Sequence, residues 1–280
     1  MKTKLVLGAV LLLGLQLQAQ EVSRVKEISL KEEFTNPLAS PDGKYAILTQ
    51  EHNHGVFLLN IQTQEITPIS PNEGIGYGYS WNPDSNTFYY KEKKEKEYFS
   101  DAKVKGYSIS SKKITSLDIN HNFLPSYNGK NDVVVHTNPS TLRIEATNVK
   151  TLKTWLVTGD EGQYYNAILS NDGTKVAVHK GAEIWVYDVN GSEKGKLIGQ
   201  GIATAWSSDD RFLIGFLDES RDGHNISNSE ILLFDVENSN TRKLTSTENQ
   251  IEMFPSLYGN NQIIFSEERT GKIYTSTLKF

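Results

Sequence analysis

The sequence predicts an all-β fold, a six-bladed β-propeller of four-stranded antiparallel blades whose last blade is closed by the N-terminal strand. Three observations predict it. Six turn signals recur along the chain, an apolar stretch follows each of them, and the final copy lacks one strand that the start of the chain can supply.

Residues 1–20 stand apart from this pattern. Lys2 and Lys4 precede an apolar run from Leu5 to Leu17, broken only by glycine and glutamine, and Gln18-Ala19-Gln20 offers a small-residue cleavage site. That layout is the one of a secretory signal peptide. Its apolar part falls short of the roughly 20 residues that a transmembrane helix needs. Residues 21–280 are therefore expected to form a single exported domain, periplasmic or secreted, with no membrane insertion. The absence of cysteine leaves no disulfide framework, and export without disulfides fits a bacterial periplasm or surface. Loss of Lys2 and Lys4 takes the formal charge from −5 to −7, and an acidic chain without basic clusters argues against nucleic acid and anionic membranes as partners.

The blades follow in order. Inner strands are expected to end at Ala39, Trp81, Tyr127, Leu169, Trp206 and Leu257, at intervals of 42, 46, 42, 37 and 51 residues. A four-stranded blade takes about 40–45 residues. Each inner strand runs into a turn, the clearest being Ser40-Pro41-Asp42-Gly43, Asn82-Pro83-Asp84-Ser85, Ser170-Asn171-Asp172-Gly173 and Ser207-Ser208-Asp209-Asp210. Proline presets φ in such turns, Asp and Asn accept hydrogen bonds from the backbone ahead of them, and glycine takes positive φ. The third turn, Asn128-Gly129-Lys130-Asn131, lacks Pro and Asp and departs furthest from the others.

Second strands are the short apolar runs Ala46-Ile47-Leu48, Phe88-Tyr89-Tyr90, Val133-Val134-Val135, Val176-Ala177-Val178, Phe212-Leu213-Ile214 and Ile263-Ile264-Phe265. Buried strands read this way. Third strands such as Ile184-Trp185-Val186-Tyr187 follow, and fourth strands such as Lys112-Lys113-Ile114-Thr115 are short and charged, as exposed sheet edges are. The sixth copy ends after its third strand, and Val25-Lys26-Glu27-Ile28-Ser29-Leu30 carries fourth-strand wording. It is expected to complete the last blade. Trp81, Trp185 and Trp206 are read as packing between blades.

Ser40-Pro41-Asp42-Gly43-Lys44, Trp81-Asn82-Pro83-Asp84-Ser85 and the run from Glu219 through Ile231-Leu232-Leu233-Phe234-Asp235 to Thr245 resemble the repeats of TolB-like β-propellers. The resemblance implies the fold, and it implies a range of functions from envelope-complex proteins to peptidase-associated propellers and lyases. TolB carries an α/β domain ahead of its propeller for which this sequence has no room.

Candidate site residues fall in the loops entering the inner strands and those joining second to third strands, which share one face of the ring. His52, His54, His121, His136, His179 and His224 all map there. That face reads as a polar mouth of the central channel, with a divalent metal as one option and no cofactor as the simpler one, because no short-range spacing brings ligands together. Tyr77, Tyr79, Phe123, Tyr164, Tyr165 and Met253 are candidate rim residues for a peptide or a glycan. Asp218 and Asp222 belong to Asp218-Glu219-Ser220-Arg221-Asp222-Gly223, the opening half of a calcium loop or an ordinary loop held by Asx turns, with Ser229 where a closing acid would stand. No cysteine and no Gly-x-Ser-x-Gly elbow is present for nucleophilic catalysis. The expected function is a non-catalytic scaffold that binds a protein or peptide partner of the cell envelope through this face; a metal-assisted polysaccharide lyase or another small-molecule enzyme at the channel mouth is the alternative. The Ser40-Pro41-Asp42-Gly43 turn lies on the opposite face and is read as structural.

Overall fold

The computed structural model describes residues 23–72, 78–93, 98, 101–124, 126–191, 194–259 and 261–278. The expected signal peptide lies outside the described residues. Strand β1 (Ser23–Ile28) comes first. The first blade is β2 (Thr35–Ala39), β3 (Tyr45–Gln50), β4 (His54–Asn60) and β5 (Ile66–Ser70). The second is β6 (Ser80–Trp81), β7 (Thr87–Glu92), β8 (Lys103–Ser108) and β9 (Lys113–Leu117). β10 (Val133–Thr137), β11 (Ile144–Asn148) and β12 (Thr154–Leu156) make the third. The fourth is β13 (Tyr165–Leu169), β14 (Lys175–Lys180), β15 (Glu183–Asp188) and β16 (Lys196–Gln200). The fifth is β17 (Ile202–Trp206), β18 (Phe212–Ser220), β19 (Ile226–Asp235) and β20 (Asn240–Lys243). The sixth is β21 (Glu252–Tyr258), β22 (Gln262–Glu267) and β23 (Lys272–Thr277), and β1 joins it as the outer strand.

All pairs within blades are antiparallel, and β1 meets β23 with Ile28 opposite Ile273. The six-bladed ring and its closure by the N-terminal strand are thus as the repeats predict. Four inner strands end where expected, at Ala39, Trp81, Leu169 and Trp206, and β21 runs one residue further to Tyr258. The third blade differs. Among the described residues its inner segment forms no ladder, and the Ser126 side chain takes that role by accepting from Val135 N–H and donating to Val135 O, both at 2.9 Å. This is the copy whose turn departs furthest from the others.

The recurrent turn owes its shape to one wiring scheme. Ser40 Oγ donates to Asp42 Oδ1 at 2.8 Å and accepts from Tyr45 N–H at 3.0 Å, and Asp42 Oδ1 also accepts from Lys44 N–H at 3.1 Å. Ser170 with Asp172 and Ser207 with Asp209 repeat it. Adjacent turns are also tied. Ser85 Oγ accepts from Asp42 N–H, and the Asp210 carboxylate accepts from the backbone N–H groups of Asn171 and Asp172. The turns therefore set both the hairpin and the spacing of the blades.

Between each neighbouring pair of blades lies an apolar cluster. Phe88 and Tyr90 of β7 pack with Ile47 and Leu58 of the first blade, and Trp206 and Phe234 pack with Ala177 and Ile184 of the fourth. Equivalent clusters fill the other four interfaces. Burying one such side chain stabilises by about 1.5–3 kcal/mol. Trp81 Nε1 donates to Leu38 O and Trp206 Nε1 to Ile168 O, each at 3.0 Å, so each indole satisfies its one donor on the preceding inner strand.

Candidate functional site

Side chains from all six inner segments surround a central cavity of about 810 Å³. It extends from Asn36, Gly78, Tyr165 and Phe254 at the loop-rich end to Pro41, Pro83, Lys130 and Ser208 at the turn end. The turns read as purely structural therefore line one end of the channel as well. The wall mixes asparagine, serine and threonine with aromatic side chains and with aliphatic ones such as Leu38, Ile168, Ile202 and Leu257, and among the described residues Lys130 is the one charged member of it. Such a wall suits an uncharged or weakly charged segment held by hydrogen bonds and ring contacts.

A repeated irregularity shapes the loop-rich end. Pairing shifts between Thr35 and Leu38, Tyr165 and Ile168, and Met253 and Ser256, and the bulged residues Asn36, Asn166 and Phe254 have φ of 51°, 50° and 52°. Asparagine enters this left-handed region readily, whereas a bulky side chain there costs about 1–3 kcal/mol. Phe254 accepts that strain on the channel wall, edge-on to Phe216 with ring centroids 5.3 Å apart. Polar wall residues also close the ring: Asn166 Nδ2 donates to Ala203 O at 3.0 Å, Ser256 Oγ accepts from Ala39 N–H at 3.1 Å, and Tyr79 OH donates to Asn36 O.

The candidate residues do not converge. Two of them line the cavity: Tyr79, buried with its hydroxyl on Asn36 O, and Tyr165, 45% exposed with its hydroxyl on Gly181 O at 2.8 Å. His52 stands in solvent beside Glu51, and His54 opens β4. His121 and Phe123 sit in a one-turn 3₁₀ segment capped by Asn120, with Phe123 against His136. Tyr77 lies outside the described residues. Tyr164, His179 and Met253 are buried rather than on a rim. His179 Nε2 accepts from Ala203 N–H at 2.9 Å, tying the fourth blade to the fifth, and Nδ1 is buried without a hydrogen bond of good geometry. Burial lowers its pKa to about 4, against a small opposing effect of the Asn166 and Tyr165 backbone.

Asp218, Asp222 and His224 belong to the β18–β19 hairpin. Asp222 Oδ1 accepts from His224 N–H, Asn225 N–H and Ser220 Oγ, and Oδ2 from Asn225 Nδ2. These bonds hold its carboxyl well below the usual range, the Asn225 backbone first. The loop is thus an Asx-type turn with its acceptors engaged. Among the described residues no group of three His, Asp or Glu is placed to hold a metal ion, and the lyase alternative gains no support.

Two clusters left no mark in the sequence pattern. Asp160 accepts from Tyr164 OH at 2.7 Å, Tyr187 OH at 3.0 Å and Lys180 Nζ at 3.2 Å between the third and fourth blades. Burial and bonds to the carboxylate raise the Tyr164 hydroxyl far above the ordinary range, which makes the group a structural clasp. Between the fifth and sixth blades, Glu252 is 4% exposed near Glu230 and Glu267, and its Oε2 has no hydrogen-bond partner among the described residues. Burial first, then the charges of Glu230 and Glu267, push its pKa up to about 7. A raised carboxyl contributes stability in full below the unfolded value near 4.5 and loses it as pH rises through 7. Glu252→Gln is therefore expected to add about 3 kcal/mol at pH 8 and little at pH 4.5, read by urea unfolding. Equal effects at the two pH values would refute a buried charge at Glu252.

No protein-family model and no curated protein sequence matches the chain. Solved structures do match in fold. TolB from Acinetobacter baumannii is 14% identical with a TM-score of 0.60 over 81% of this chain, which spans 58% of that protein. A putative TolB from Agrobacterium tumefaciens is 16% identical with a TM-score of 0.54, covering 91% of this chain and 97% of that one. A protein of unknown function from Bacteroides thetaiotaomicron is 12% identical with a TM-score of 0.62, covering 93% and 73%. The chain thus shares the TolB-type propeller fold.

Proposed function

We propose that this protein is an exported, non-catalytic scaffold that binds a protein or peptide partner at its loop-rich face and channel mouth. One observation carries the reading: a cavity of about 810 Å³ walled by uncharged polar, aromatic and aliphatic side chains, with Lys130 the single charge among the described ones. A wall of that kind offers recognition but no acid–base pair or activated nucleophile. The TolB-type fold is in keeping with it, and so are the leader-like residues 1–20. The test places a photocrosslinking residue at Tyr165, on the rim, or at Lys112, on the opposite face, in the tagged protein expressed in its own envelope. A discrete adduct from position 165 and none from 112 is expected. Equal labelling from both positions, or none from either, would refute the reading.

A further inference from the structure

The β18–β19 hairpin is the longest among the described blades, and the part that outruns β17 leaves a strand edge uncovered. β17 begins at Ile202, opposite Phe216, and the preceding Gly201 N–H bonds to Ala182 O. β18 nevertheless continues through Leu217 to Ser220, still paired with β19. Which backbone groups face outward follows from the alternation of an antiparallel ladder. Ile231 directs its N–H to Thr245 Oγ1 and its C=O to Leu244 N–H, and Ser229 directs its N–H to Gln250 O. Both residues thus turn away from β18, so their partners Phe216 and Asp218 turn away from β19. Phe216 meets Ile202. The Asp218 N–H and C=O meet no strand among the described residues, and because the blade is ordered β17 to β20 outward from the channel, this edge faces the channel axis.

We propose that this edge docks an extended basic polypeptide segment, which adds to the fifth blade as a strand in line with β17 at the channel mouth. The proposal rests on the loop-rich face being the partner face, and it specifies the partner's chemistry there. Edge addition supplies main-chain hydrogen bonds, and side chains beside the edge select the sequence. Those side chains are acidic. Asp218 and Glu219 are exposed on the edge itself. Of the cations on this hairpin and against it, Arg269 is tied to Asn249 O and Ser227 O, and Arg221 stands at the hairpin tip. A second copy of this chain is a poor occupant, because two such edges would set Asp218 and Glu219 against like charges. The Asp222 bonds fix the tip in advance, which lowers the ordering cost of docking.

The test is fluorescence anisotropy of the mature protein with a short labelled peptide of alternating lysine and threonine, its glutamate–threonine counterpart, and the lysine peptide N-methylated at alternate backbone nitrogens. Binding of the lysine peptide alone is expected, weakening as salt rises. N-methylation keeps the charge and removes the donors, and Asp218→Pro removes an outward donor at a position where an edge strand tolerates proline; each is expected to weaken binding about tenfold or more. Binding indifferent to both changes, or equal binding of the glutamate peptide, overturns the proposal. N-methylation needs no protein variant, so the outcome does not depend on Asp218→Pro folding. Lysine-peptide binding that survives both changes but is lost in Tyr165→Ala overturns the edge assignment and leaves the partner-face reading standing.

Discussion

Deleting residues 23–28 is expected to lower the melting temperature by about 10 °C or more, because β1 is the outer strand of the last blade rather than a tail. Its register on β23 sets Lys26 opposite Thr275, Glu27 opposite Tyr274 and Ile28 opposite Ile273. Ile28 is 3% exposed, in a cluster with Phe34, Ile264 and Ile273 that joins the sixth blade to the first. Losing a buried isoleucine alone costs about 2–5 kcal/mol, and each kcal/mol moves the melting point of a chain of this size by about 2–4 °C. The deletion also bares the β23 edge, so concentration-dependent aggregation is expected beside the lower melting point. The surface ion pair of Glu27 with Lys272 at 3.0 Å is a minor contributor. Val25→Ala is the control: Val25 is 54% exposed, and its truncation should leave the melting curve in place. A deletion variant that melts with the intact protein would show that the ring closes without this strand.

The blades were legible in the sequence because each turn is wired locally. Ser40 with Asp42, Ser170 with Asp172 and Ser207 with Asp209 fold the same hairpin from the same two side chains, so spacing alone located them. The third turn lacks that pair, and there the ladder itself gives way to Ser126. The candidate site was legible only in height. A residue's place between strands tells which end of the channel it is near, and this held for Tyr165. It does not tell whether the side chain points to the axis, to solvent or between blades, which is why Tyr164, His179 and Met253 proved to be buried. The bulges depend on register between paired strands. Their one sequence trace is an asparagine three residues before the end of two inner strands, Asn36 before Ala39 and Asn166 before Leu169, and Phe254 leaves no such trace. The uncovered β18 edge follows from unequal strand lengths, and a turn-centred alignment does not measure those.

His179 makes the second large prediction, and Glu252 conceals it in the intact protein. A histidine whose folded pKa is lowered to about 4 contributes stability in full above its unfolded value near 6.5 and loses it as pH falls towards 4. Protonation would remove the acceptor that holds Ala203 N–H and leave a buried cation between two blades. The span from 6.5 to 4 corresponds to about 3 kcal/mol. Glu252, raised to about 7, changes stability the other way between 4.5 and 7, so the two slopes offset each other across pH 4.5–6.5. Removing one should unmask the other. In Glu252→Gln, unfolding free energy is expected to fall by about 3 kcal/mol from pH 6.5 to 4, and in the Glu252→Gln/His179→Gln double variant most of that slope should go, since Gln offers Ala203 N–H a non-titrating acceptor; what remains belongs to His136, lowered by burial, and Glu268, raised by burial, which act with opposite signs in this window. Asp42, Asp172, Asp209 and Asp235, all held below their usual pKa, lose their contribution only as pH falls below about 4, outside this window. A slope in the double variant as steep as that of Glu252→Gln would assign the acid sensitivity to another group and leave His179 as a neutral tie between the fourth and fifth blades.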